Sequence, residues 1–156
     1  MKTRFQNAMM GFLFTGMLLL FCNIFTYGQT EDPTTPGSVW ELTFVKLKPH
    51  SGDQYIQGLK KTWKASMDEF VKAGLIKSYK ILWGESVNED DFDMILMIEH
   101  ANYASSDPNP ERDKKFEEIE KKIKDNLGDE YMKTVEGYTS LRELLGTKVM
   151  REITIN

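Results

Sequence analysis

An α+β fold with the element order β-α-β-β-α-β is predicted by three features of this sequence. Two stretches, 53–73 and 110–127, repeat apolar residues at three- and four-residue steps, which is the period of an amphipathic helix. Four others, at 39–48, 76–86, 92–100 and 149–155, alternate with the period of a strand. The first and third of these are apolar on both alternating faces, so each needs a cover on both sides.

The chain opens with a segment that reads as a secretory signal peptide, residues 1–28. Lys2 and Arg4 form a basic start, an apolar run follows at 9–25, and Thr26 and Gly28 put small residues before a cut at Gln29. A membrane anchor is the rival reading, but the run is only about 17 residues, the low limit for a bilayer core. Lipidation at Cys22 is a second rival. Phe21 opposes it, because lipoprotein signals hold a small residue there. The mature chain is therefore expected to be exported, to the periplasm or the exterior, and not to stay on the membrane. It keeps roughly 130 residues, enough for one domain with its own core. Losing Lys2 and Arg4 moves the net charge from −4 to about −6, which supplies no basic face for nucleic acid. Cys22 is the only cysteine, so the mature chain forms no disulfide and depends on packing or association.

Residues 29–38 (QTEDPTTPGS) are polar, hold two prolines and a glycine, and read as a disordered lead-in. In the first strand, 39–48, Trp40, Leu42 and Phe44 point one way and Val39, Thr43, Val45 and Leu47 the other. Ser51 or Asp53 caps one long helix whose stripe is Tyr55, Ile56, Leu59, Trp63, Met67, Phe70 and Val71. Gly74 ends it as a C′ residue. The second strand, 76–86, sets Tyr79, Ile81 and Trp83 on one face. An acidic turn at 88–91 leads to the third strand, 92–100, so the two form a hairpin. Asn109 followed by Pro110 starts the second helix, with the narrower stripe Phe116, Ile119, Ile123 and Leu127 and Gly128 at its end. Residues 129–135 add a short helix. Residues 139–145 read as strand or as one helical turn, with strand favoured, and 149–155 alternate as a strand.

This order is that of a ferredoxin-like split βαβ domain, with an antiparallel four-stranded sheet and two helices on one face. No helix is left to cover the second apolar face. A second copy of the same sheet is the simplest cover, which predicts a homodimer closed face to face into a barrel. With the element order, the doubly apolar strands and the terminal LRELLGTKVMREI (141–153), residues 39–156 resemble the dimeric α+β barrel superfamily, in particular its small exported members. The resemblance implies a homodimer but no single activity, because the superfamily includes monooxygenases, haem-degrading enzymes, stress-responsive barrels and members of no known activity. Haem-degrading members use an Asn on the first strand and a helical His. Here the first strand has no Asn and neither helix stripe a His.

Candidate site residues follow from this arrangement. Trp40, Tyr79 and Trp83 are candidates to line an apolar pocket for a small molecule, with His100 and Arg151 as polar groups at its edge. A Trp- and Met-rich core is the plainer reading of the aromatics. Arg151 on a barrel strand needs a partner such as Glu85, a partner-chain acid or a ligand carboxylate. His50 follows the first strand and His100 ends the third. In this order those two central strands are read as adjacent and parallel, so both histidines can meet Glu99 and Asp53 at one sheet edge, as metal ligands or an acid–base group. Two exposed strand-end histidines are the alternative, and no metal or other cofactor is assigned. The chain holds no phosphate loop, GxSxG or HExxH motif. The expected function is that of an exported homodimeric barrel binding a small apolar or aromatic molecule. Two alternatives stand beside it: a cofactor-independent monooxygenase-like or isomerase-like enzyme using Tyr79, Trp83 or His100, and a structural dimer with a filled barrel.

Overall fold

A computed structural model describes residues 32–156. The signal peptide read at 1–28, and residues 29–31 of the lead-in, lie outside the described residues. The elements run β1 (Thr34–Leu47), α1 (Gly52–Lys61), α2 (Trp63–Lys72), β2 (Ser78–Trp83), β3 (Met94–His100), a 3-10 turn at Tyr103–Ser106, α3 (Pro110–Leu127), α4 (Asp129–Leu141) and β4 (Arg142–Ile155). The strands form one sheet in the order β2-β3-β1-β4, with every neighbouring pair antiparallel. With helices between β1 and β2 and between β3 and β4, this is the ferredoxin-like arrangement.

The ladder sorts the side chains onto two faces. Val39, Glu41, Thr43 and Val45 of β1 stand opposite His100, Ile98, Leu96 and Met94 of β3. Tyr79, Ile81 and Trp83 of β2 continue the same face. The helices pack there. Val45, Met94 and Leu96 form one buried cluster with Tyr55, Leu59 and Tyr138. Met67, Phe70 and Ile76 form a second, joined by Trp63, Tyr79, Ile98, Phe116 and Ile119. Each fully buried apolar side chain of this kind contributes about 1.5–3 kcal/mol.

Four elements differ from the sequence reading. The long helix is two, broken at Thr62 (φ −106°, ψ −79°). The Thr62 hydroxyl reaches the Gly58 carbonyl at 3.2 Å and shares a 2.6 Å hydrogen bond with the Tyr138 hydroxyl. A buried side chain that competes for its own helix carbonyl bends a helix, and the partner that holds it lies 76 residues away. Ser51 occupies the N-cap position but makes no side-chain cap bond. Its hydroxyl lies 2.7 Å from the Lys48 carbonyl and 2.6 Å from that of Leu141, and donates its one proton there. Residues 34–38 of the lead-in are strand, because Thr34–Pro36 find partners in Ile153–Ile155 at the far end of the chain. Residues 139–141 finish helix α4, and β4 starts at Arg142. Leu145 is an extra residue in β4, since Val45 pairs with Leu144 and Phe44 with Gly146. Gly146, at φ 151°, accommodates that bulge.

Helix ends follow the sequence more closely. Leu75 N–H donates to the Phe70 carbonyl and Gly74 N–H to that of Val71, a Schellman closure around Gly74 at φ 67°. Asn109 accepts from Arg112 N–H at 3.0 Å ahead of Pro110. Where α1 meets α4, Gly58 lies so close to Tyr138 that a Cβ would stand 2.7 Å from its ring. Gly58→Ala is accordingly expected to destabilise the protein by about 1–3 kcal/mol, read as a lower urea midpoint. An unchanged midpoint would show that the two helices separate freely.

Candidate functional site

The second face of the sheet is the most distinctive surface of the described chain. Trp40, Leu42 and Phe44 of β1 stand opposite Glu99, Met97 and Ile95 of β3. Ser78, Lys80 and Leu82 of β2 extend that face on one side, and Met150, Lys148 and Gly146 of β4 on the other. No element among the described residues packs over it. The central residues are half-buried, and Leu82 and Met150 are 51% and 44% exposed. Phe92 packs against Phe44 at 5.0 Å between ring centroids. The Lys80 ammonium lies 4.5 Å over the Trp40 ring, a cation–π contact. The Trp40 indole N–H points at Glu152, 3.5 Å away.

Glu99 anchors one end of this face. The Ser38 hydroxyl, the Ser78 hydroxyl at 2.5 Å and the Lys77 ammonium at 2.9 Å hold its carboxyl down at about 2. A carboxyl ionised more readily in the folded than in the unfolded chain stabilises fully above its ordinary value of 4.5. That contribution is lost as pH falls from there towards 2. Glu99→Gln is therefore expected to lower stability at neutral pH and to flatten the loss between those pH values, measured by urea unfolding across the series. An equally steep acid limb in the variant would refute the assignment.

The sequence-selected residues do not form one pocket. Trp40 lies on the open face, whereas Tyr79, Trp83, His100 and Arg151 fall in register on the helix-covered side. Tyr79 is committed to structure. Its ring meets Trp63 edge-on at 5.3 Å and its hydroxyl donates to Asp68. Burial raises its pKa, and the hydrogen bond to Asp68 adds to the rise, so the phenol stays a donor at neutral pH. Lys64, 2.7 Å from Asp68, keeps that carboxylate ionised.

His100 and Arg151 do come together, flanking Val39 across the sheet. His100 Nε2 stands 3.9 Å from Glu41 and holds that carboxyl below its usual range. The Arg151 guanidinium stacks 4.8 Å over Tyr103, so Tyr103 is its partner and not Glu85. Tyr103 was not selected from the sequence, where nothing marks it.

The histidine pair is corrected. β1 and β3 are antiparallel, so His100 lies opposite Val39 at the start of β1 while His50 follows its end. Val39 to Val45 alone spans about 20 Å. Among the described residues no group of three or more His, Cys, Asp or Glu could hold a metal ion.

Two clefts lie on the helix side. One, of about 550 Å³, runs between α1 and α4 and is lined by Gln54, Gln57, Lys61, Glu130, Lys133 and Thr134 among others. The other, of about 590 Å³, opens beside Trp83 at the end of β1, and brings His50, Asp53 and Trp83 together.

Known proteins add a likeness only. No family model and no curated protein matches the chain. Among solved structures it is similar to a dimeric ferredoxin-like protein from an uncultured marine organism. The identity is 12%, over 78% of this chain and 90% of that one, with a TM-score of 0.40. It is also similar to a dimeric protein of unknown function and ferredoxin-like fold from Bacteroides fragilis. There the identity is 11%, over 77% and 97% of the two chains, with a TM-score of 0.35. The ferredoxin-like assignment rests on the sheet order and connections of this chain itself.

Proposed function

We propose that two copies of this chain meet through their open sheet faces and enclose a compartment for a small apolar or aromatic molecule. The observation that carries this reading is the uncovered patch of Trp40, Leu42, Phe44, Ile95 and Met97 on a sheet whose other face is packed. An exposed apolar face of this size marks an interaction site. A second copy suits it for a specific reason. The face carries both signs of charge, Lys80 and Lys148 together with Glu143 and Glu152, so a two-fold axis can set unlike charges against each other.

Size refines the geometry. The ladder of Val39–Val45 across four strands measures about 20 by 19 Å, on the order of 380 Å² per copy in projection. A standard interface takes about 800 Å² per partner. The β1–β4 ribbon runs on beyond β3, where Thr34–Pro36 pair with Ile153–Ile155, and extends the surface available to a second copy. In the dimer Trp40 and Lys80 would face the compartment, the indole offering a flat surface for an aromatic guest.

The dimer is proposed to act outside the cytoplasm after removal of residues 1–28, which the basic start, apolar run and small residues before Gln29 support. Native mass spectrometry of the protein purified from its own compartment tests these points together. The expected result is a dimer of chains beginning at Gln29 that sheds a small molecule on activation. A monomer, or a chain that retains its first 28 residues, would contradict the corresponding part.

A further inference from the structure

We propose that the cleft beside Trp83 is a separate binding site for a small planar aromatic carboxylate. Trp83 is 54% exposed although it ends a paired strand. The benzo part of its indole abuts Gly52, where an added Cβ would stand 2.8 Å from Cζ2, so no side chain fits between them. The remainder of the ring opens onto the cleft of about 590 Å³, a volume suited to a small ligand. Leu47 adds an apolar wall, and Lys46, Lys48, His50, Asp53, Ser86 and Asp93 form the polar lining.

The charges select the class of ligand. The Asp93 carboxylate already accepts the Leu47 N–H at 2.7 Å. The Lys46 ammonium is hydrogen-bonded to the Glu89 carbonyl. Lys48 makes no ion pair among the described residues and is the cation left to meet a ligand anion, with Asp53 as the acid left on the lining. A flat apolar body on Trp83 and a carboxylate at Lys48 satisfy both groups at once. In register Trp83 falls on the opposite side of the sheet from Trp40. The site therefore stands apart from the open-face compartment and does not depend on the dimer.

Calorimetric titration of the mature protein with indole-3-acetate, and with its neutral amide, tests the proposal. Saturable binding of one acetate per chain is expected, with the amide about tenfold weaker. Lys48→Met should bring the acetate down to the affinity of the amide and leave the amide unchanged. Trp83→Ala should weaken both ligands about tenfold or more, and Trp83→Phe less, with thermal unfolding confirming that each variant folds. Equal affinity for acetate and amide, full binding by a folded Trp83→Ala variant, or no saturation up to about 10 mM would each overturn the proposal.

Discussion

Ile95→Glu is expected to turn the proposed dimer into a monomer while leaving the fold intact. Ile95 lies between Leu82 and Phe44 on the open face, in a row with no lysine to pair with a new carboxylate. Closing two such faces would bury two uncompensated charges, at a cost of several kcal/mol. The dissociation constant should rise by at least about a hundredfold. The variant should fold, because position 95 points away from the cluster of Val45, Met94 and Leu96. Light scattering after size exclusion, with circular dichroism on the same samples, separates the outcomes. A folded variant that remains dimeric would place the interface elsewhere.

Tyr55→Ala should have the largest effect on stability. Tyr55 is 1% exposed and among the largest fully buried side chains. Its ring meets Tyr138 edge-on at 5.2 Å. The Arg142 guanidinium lies 5.6 Å from the Tyr55 ring and 5.5 Å from that of Tyr138. Arg142 Nε is buried without a hydrogen-bond partner, and the two rings flank its guanidinium. Truncation opens a cavity and strips away one of those rings, a loss of about 3–5 kcal/mol. Against a typical total of about 5–15 kcal/mol this threatens the fold. Tyr55→Phe keeps the ring and should cost about 1 kcal/mol. Urea titrations that give the two variants similar midpoints would show that the ring's packing is not what matters.

Local chemistry was legible in the sequence wherever the cause was local. Gly74, Asn109–Pro110 and Gly128 mark helix ends because caps are made by neighbours within a turn. The alternation of Val39–Val45 and Met94–His100 revealed a sheet with two apolar faces, because the period of a strand needs no tertiary knowledge. What failed had distant causes. Thr62 breaks the helix through Tyr138, and 34–38 become strand through Ile153–Ile155. Neither partner can be found from the residues nearby.

The candidate site was half legible. Trp40, selected as a pocket candidate, lies on the open face, whose Leu42, Phe44, Ile95 and Met97 were read as sheet. Tyr79 is held by Asp68 and Trp63, which lie on a helix whose placement alternation does not give. The histidine pair failed on strand direction. A split βαβ order sets β3 against β1, so their C-terminal ends lie at opposite edges of the sheet. Trp83, His50 and Asp53 meet because a turn carries the chain from β1 to α1 beside the end of β2.

Sedimentation equilibrium of residues 29–156 at micromolar concentration tests the central claim most directly. In the proposed dimer a second copy covers the face of Trp40, Leu42, Phe44, Ile95 and Met97, so the result expected is the mass of a dimer. A monomer at that concentration would contradict the account and leave the open face without its cover.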